Sequence, residues 1–208
     1  MKEVIGKNST NKLKLFSLDA KFLLGASHKN QFPATNLPEF VFVGKSNVGK
    51  SSLINLLCNK HNLARVSKTP GRTREINFFL IANKLILVDL PGYGYSKTAV
   101  VTCKNWEKLI LSYLEDRKNL RLIYVLIDAR RGIKDNDLAV INLVHYFNYT
   151  MKIVFTKEDK ISDSEKNSLI TTSKNLLDYN DKIIFTSIRN KNGAQEIQYN
   201  ILKYSKRT

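Results

Sequence analysis

Eight residues spaced for phosphate chemistry run from Gly44 to Ser51, in the order G-K-S-N-V-G-K-S. Glycines bounding a four-residue interval let the backbone curl until several N–H groups face one anion. The lysine and hydroxyl residue that follow supply a point charge and a Mg2+ ligand. In this pattern Lys50 reaches the terminal phosphates of a nucleotide and the Ser51 hydroxyl ligates the metal. A second group, Asp89-Leu90-Pro91-Gly92, offers a carboxylate close to the metal through its water shell and a Gly92 N–H that can meet a γ-phosphate. A third, Thr156-Lys157-Glu158-Asp159, ends in a carboxylate that can accept hydrogen bonds from guanine N1–H and its 2-amino group. Adenine has no such donor pair. Lys157 can lay its methylene stem along a purine face. Taken singly, these groups also read as a chance loop, a turn cap and a polar surface turn. In this order, followed by Phe185-Thr186-Ser187, they point to GTP.

The elements around them have to carry each group to one place. The run "EFVFVG" is apolar and stops at glycine, as a buried parallel strand does. "KSSLINLLCNK" follows at helical spacing with Leu53, Ile54, Leu57 and Cys58 on one face, which makes Cys58 a core residue rather than a nucleophile. "INFFLI" and "KLILVDLPG" read as strands joined through Asn83 like a hairpin, and "NWEKLILSYLEDR" reads as a helix. Strand "RLIYVLIDARRG", helix "DNDLAVINLVHYF", strand "KIVFTKED", helix "SDSEKNSLITTSKNLL", strand "KIIFTSI" and helix "GAQEIQYNILKY" complete the alternation. The pattern predicts an α/β fold: three layers, a six-stranded mostly parallel sheet flanked by about five helices, built on a phosphate-binding loop. Residues 1–37 read as a basic N-terminal arm and lead-in segment, and 38–208 as the nucleotide-binding domain.

A chain of 208 residues suits one such domain. Its 34 Lys and Arg against 18 Asp and Glu give a net charge of +16, which favours polyanionic partners through counterion release. A Lys-, Asn- and Ile-rich composition also follows from codon bias, but that bias should enrich Glu as readily as Lys. Cys58 and Cys103 are too few for a disulfide scaffold and fit a reduced cytoplasm. The first residues lack the continuous apolar core of a secretory signal, and no run of eighteen apolar residues is present to span a membrane. His28, His61 and His145 show no ligand pairing.

Together "GKSNVGKSSLIN", "SKTPGRTREINFF", "DLPGYGYSK", "DARRG", "TKED" and "FTS" resemble the EngB family of bacterial GTPases, also called YihA or YsxC, a relative of the Era and EngA GTPases. The resemblance spans roughly residues 15 to 206. It implies a Ras-like fold, GTP hydrolysis with Mg2+, a role in assembly of the large ribosomal subunit, and an association with normal cell division and septation. Position by position, it implies that Gly44, Lys45, Ser46, Asn47, Val48, Gly49, Lys50 and Ser51 hold the phosphates, and that Ser51 and Thr73 ligate Mg2+. Gly71, Arg72, Thr73, Arg74 and Glu75 would form the first switch, and Asp89, Leu90, Pro91 and Gly92 would sense the γ-phosphate. Thr156, Lys157, Glu158 and Asp159 would read guanine, with Phe185, Thr186 and Ser187 completing the base pocket. Lys50, Thr73 and Asn47 are the candidate catalytic residues. Arg74 and Glu75 stand where a neutral pair is expected, and "FTS" where Phe-Ser-Ser is commoner, which touches fine switch behaviour rather than nucleotide identity.

Tyr93 follows the second group where Ras-like enzymes place a glutamine that orients the attacking water. A ring with a distant hydroxyl cannot hold water that way, so slow intrinsic turnover is expected, rising when a partner or a cation completes the site. Asn47 makes K+ a candidate, because similar GTPases use an asparagine there as a ligand; a plain polar loop residue is the equal alternative. "HNLARVSKTPGRTRE" and "GYGYSKTAVVTCKN" suit loops that order on a triphosphate. Their Arg65, Lys68, Arg72, Arg74, Lys97 and Lys104, with Lys2, Lys7, Lys12, Lys14, Lys21 and Lys29 in the arm and Lys203, Lys206 and Arg207 in the tail, suit ribosomal RNA. Tyr93 and Tyr95 could stack on bases or pack the switch. The expected partners are a large-subunit precursor, rRNA and ribosomal proteins, with the protein a cytoplasmic monomer. A small-molecule kinase is disfavoured by the guanine-reading group. The alternative is a septation GTPase acting directly at the membrane or by self-assembly, for which only the basic arm speaks.

Overall fold

The computed structural model describes residues 15–65, 75–94, 100–115, 117–177 and 182–206. In chain order the elements are α1 (Leu15–Leu18), β1 (Ala20–Ala26), β2 (Glu39–Gly44), α2 (Lys50–Leu57), β3 (Ile76–Ile81), β4 (Leu85–Asp89), α3 (Val100–Glu115), β5 (Leu120–Asp128), α4 (Asp135–Tyr146), β6 (Met151–Thr156), α5 (Asp163–Leu177), β7 (Ile184–Thr186) and α6 (Ala194–Tyr204). The sheet order is β1-β3-β4-β2-β5-β6-β7. From β4 to β7 every pairing is parallel, while β1 and β3 are antiparallel to their neighbours.

The apolar runs became strands because the middle of this sheet is covered on both faces. All six residues of β2 are buried, as a central parallel strand requires. One face carries Val43, Phe78, Tyr113, Val125 and Val144 under α3 and α4. The other carries Phe42, Leu53, Tyr124, Ile197 and Ile201 under α2 and α6. Leu53, Ile54, Leu57 and Cys58 are all at or below 1% exposure, and burial pushes the Cys58 thiol up to about 12, so it is an inert core residue. The hairpin expected at Asn83 is present, with Ala82 and Asn83 at φ 49° and 54°, the positive values a tight hairpin turn demands.

Two expectations need correcting. The sheet has seven strands among the described residues, not six: "AKFLLGA" of the lead-in segment pairs antiparallel with β3. Its period-2 pattern is broken by a register shift between Phe22 and Leu24, so alternation could not reveal it. Helix α3 begins at Val100, five residues before the segment the spacing predicted.

The parallel strands β2, β4, β5, β6 and β7 end at Gly44, Asp89, Asp128, Thr156 and Thr186. Their carboxyl ends form one edge, where open α/β sheets bind ligands.

Candidate functional site

At Gly44 the backbone of β2 passes so close to β5 that a Cβ would lie 2.6 Å from the Leu126 carbonyl. The loop then turns through Asn47 at φ 63° and Gly49 at φ 111° into the first turn of α2. Only a residue without a Cβ adopts the second value without strain. Lys50 is buried and donates to the Gly44 carbonyl at 3.3 Å. Burial lowers its ammonium pKa, and nearby Asp89 opposes the shift.

Asp89 ends β4 next to this loop. Its Oδ2 accepts from the Ser51 hydroxyl at 2.8 Å, while its Oδ1 is buried with no hydrogen-bond partner among the described residues. Burial raises the Asp89 carboxyl; Lys50 and the Ser51 hydroxyl act the other way. Leu90 donates its N–H to Phe42 and continues the sheet. Beyond buried Pro91, Gly92 lies against the phosphate loop, where a Cβ would meet Ser46 backbone at 2.8 Å. The Ser46 hydroxyl donates to the Gly92 carbonyl at 3.3 Å and the Ser46 N–H to the Tyr93 carbonyl at 3.1 Å. Lys45 and Tyr93 form a parallel bridge.

The third group is tied to the first. Thr156, at the end of β6, donates its hydroxyl to the Val48 carbonyl at 2.8 Å, and the Lys157 ammonium donates to the Asn47 carbonyl at 3.1 Å. Lys157 also pairs with Asp128 at 2.8 Å, and Arg130 grips the same carboxylate through Nε and Nη2 at 2.9 and 2.7 Å. Burial alone would raise the Asp128 carboxyl, but the hydrogen bonds from Arg130 and Lys157 outweigh it and hold it well below the usual range. Asp159 accepts from the Ser187 hydroxyl at 2.8 Å, and that bond lowers its pKa. Thr156, Lys157 and Asp159 line a cleft of about 360 Å³ together with Val48, Gly49, Leu53, Arg130, Lys160, Thr186 and Arg189. The volume is that of a small-ligand pocket.

Most of the residues singled out in the sequence therefore meet at one edge. Glu158 faces away, held by Lys166 and by Asn192. Phe185 stacks on Phe155 at 5.3 Å under the Lys166 ammonium instead of lining the cleft. Glu75, just before β3, accepts from Ser27 at 3.4 Å. Gly71, Arg72, Thr73 and Arg74, with Tyr95, Lys68 and Lys97, lie outside the described residues. Tyr93 is 6% exposed, in the core under α3 and α4, so packing, not base stacking, is its role here. Sequence reading gives no site role to Asp128, Asp137, Arg130 or Arg131. Arginines directly after an apolar strand that closes on aspartate were the available signal. Among the described residues no group of three or more His, Cys, Asp or Glu is placed to hold a metal, and no helix is long and apolar enough to cross a membrane.

Residues 39–157 match the family of 50S ribosome-binding GTPases. A probable GTP-binding protein EngB of Rickettsia akari is 48% identical over 203 residues, covering 97% of this chain and 96% of the relative. Its counterpart from Rickettsia prowazekii is 50% identical over 200 residues, covering 95% and 92%. Among solved structures, a probable GTP-binding protein engB superposes with a TM-score of 0.64 at 22% identity, covering 80% of this chain and 98% of that one. A complex of Era with MgGDPNP and a stretch of 16S ribosomal RNA does so with 0.66 at 26% identity, covering 81% and 56%. With the phosphate loop, the D-x-x-G segment and the T-K-x-D segment brought together at one edge of the sheet, the chain is a GTPase of Ras-like fold and belongs to the EngB family of GTP-binding proteins.

Proposed function

We propose that this GTPase is a nucleotide-operated switch in assembly of the large ribosomal subunit, acting as a cytoplasmic monomer on which normal division and septation depend. Residues 38–208 carry the switch, and the basic residues before residue 38, in the lead-in segment whose β1 joins the same sheet, add RNA affinity. The family's description as ribosome-binding and the charge of +16 support an RNA-rich partner, and the related Era fold is one that has been seen with ribosomal RNA. One observation carries the nucleotide part of the reading. The Asp159 carboxylate, fixed by Ser187, opens onto the cleft, and the neighbouring Thr156 and Lys157 are bonded to the phosphate loop. Base and phosphates are thus read by one connected unit.

In this reading Gly44 to Ser51 grip the phosphates, with Lys50 drawing charge from the γ-phosphoryl group as it departs. Asp159 accepts the two guanine donors, and the Gly92 N–H meets a γ-phosphate oxygen. The orphaned Asp89 Oδ1 beside the Ser51 hydroxyl suits an oxygen-ligated divalent cation held partly through water. Ser51, with Thr73 as second ligand, would hold Mg2+, which when bound neutralises phosphate charge. Tyr93, turned into the core, holds no water, so turnover is slow until a ribosomal particle, or K+ at Asn47, completes the site. The test is calorimetry of wild type and D159A with GTP and ATP, then sucrose-gradient sedimentation with ribosomal particles. Guanine preference lost in D159A, with triphosphate-dependent and salt-sensitive co-sedimentation of wild type, is expected. Unchanged discrimination would overturn the nucleotide reading. Self-association or vesicle binding in place of co-sedimentation would overturn the ribosomal one.

A further inference from the structure

One buried carboxylate that no nucleotide group needs is wired to the segment beside the phosphates. Asp137, in the first turn of α4, is 0% exposed. It accepts from the Lys134 N–H at 2.9 Å, from Arg131 Nη2 at 2.7 and 2.8 Å, and from the Tyr93 hydroxyl at 2.5 Å. Capping the helix requires only the first of these, and Arg131 neutralises the charge. Tyr93 remains to be explained, since a phenylalanine would fill the same core space without bringing a hydroxyl under the helix. Burial, then Asp137, raise the phenol's pKa, so it stays a donor at neutral pH.

The same residue is held from the other side. Its carbonyl, and that of Gly92, accept from Ser46 of the phosphate loop. Residues Gly92 and Tyr93 are therefore held from two sides, by the phosphate loop through their carbonyls and by α4 through the phenol, and the Gly92 N–H sits at the start of this held stretch. The Gly92 N–H itself makes no hydrogen bond among the described residues. A donor held in place and left free binds an anion without the ordering penalty a loose one incurs.

We propose that Tyr93, Asp137 and Arg131 form a latch that pre-sets the Gly92 amide for a γ-phosphate, making Asp137 and Arg131 positioning residues for triphosphate over diphosphate. The latch rests on reading Gly92 as the γ-phosphate sensor. Neither Asp137 nor Arg131 lines the cleft, so a purely structural role would weaken both nucleotides alike.

The experiment measures affinity for a non-hydrolysable GTP analogue and for GDP in wild type, Y93F and R131Q, and follows the Gly92 amide resonance in 15N-labelled wild type. Y93F keeps the ring and R131Q a partly exposed side chain, so one of the two remains folded enough to titrate. The ratio of GDP to analogue dissociation constants should fall roughly tenfold in Y93F, the size of one hydrogen bond to a charged group. A smaller fall of the same sign is expected in R131Q, with GDP affinity within about twofold of wild type. A ratio that stays put in both variants, or equal losses for both nucleotides, overturns the latch. A Gly92 amide that does not distinguish analogue from GDP in wild type overturns the sensor reading instead, and the latch with it.

Discussion

Glu39 and Asp89 are buried acids at opposite ends of one strand pair, for Glu39 lies opposite Ile86 and Phe42 opposite Asp89 where β2 and β4 run parallel. Around Glu39 every acceptor is met. Tyr113 Oη donates at 2.6 Å, and Arg117 Nε and Nη2 donate at 2.9 and 2.6 Å. Arg117 also reaches the Pro33 carbonyl and stands over Phe32, Phe78 and Tyr113. Asp89 has Ser51 and one open oxygen. A buried charge closed on its own chain belongs to the fold; one left half open is not accounted for by the fold's own hydrogen bonds. The lead-in segment belongs with the closed kind, because Arg117 and Asn119 pin residues 33, 35 and 37 to the end of β5.

The distinction breaks most visibly through E39A. Removing one partner strands Arg117 and the Tyr113 hydroxyl, and unfolding free energy in urea should drop by about 3–5 kcal/mol, while the folded fraction keeps its guanine preference. D89N should act in the opposite sense. Asp89 has its pKa raised by burial, so its contribution to stability is full below the unfolded value near 4 and is lost as pH rises through the folded value. At neutral pH the charged form is a burden. Nucleotide-free D89N should match or exceed wild type in Tm, while Mg2+-dependent GTP affinity weakens by about 1–3 kcal/mol. A D89N protein as destabilised as E39A would erase the contrast.

Alkali sharpens the same comparison at smaller scale. Burial, then Glu39, hold the Tyr113 phenol well above its usual range, and burial, then Asp137, do so for Tyr93. Both contributions are intact below the unfolded value near 10 and vanish as pH rises beyond it, by up to about 1.4 kcal/mol per pH unit for each group. Wild type should therefore lose Tm steeply above pH ~10, and Y113F should lose it less steeply. Equal slopes would mean that the Glu39 cluster is not closed to water.

What could be read from the sequence follows from how far apart partners lie along the chain. The parallel strands announced themselves because two-sided burial makes each a continuous apolar run, and the segments expected to hold phosphates and base were placed at strand ends because each is contiguous with the run before it. Glu39 looked like the polar start of "EFVFVG", since its partner Arg117 is 78 residues away. Asp137 lies in the first turn of α4, where acids commonly open helices, and its link to Tyr93 spans 44 residues. Strand β1 was hidden because its pairing with β3 is interrupted between Phe22 and Leu24 and six of its seven residues stay at least partly exposed. Phe185 shows another limit: its motif position lies on the backbone of β7, while its side chain goes into the Phe155 stack.

Asp128 tests whether the rim of the cleft follows the closed rule or the open one. It has both its oxygens paired, to Arg130 and Lys157, but Arg130's side chain is 54% exposed and Lys157's 33%. Water screens such pairs, and D128N should change stability at pH 7 by less than about 1 kcal/mol. With its folded pKa depressed, the carboxylate contributes above the unfolded value near 4 and stops contributing as pH falls below it, so the small difference between D128N and wild type should disappear in acid. The larger consequence is positional. Lys157 would keep the Asn47 carbonyl and lose its second anchor, so GDP release should quicken by a few fold with GTP and GDP affected alike. Stability losses on the scale of E39A would show that the rim, too, is part of the fold's closed framework, and that the opening at Asp89 is rarer in this molecule than its neighbourhood suggests.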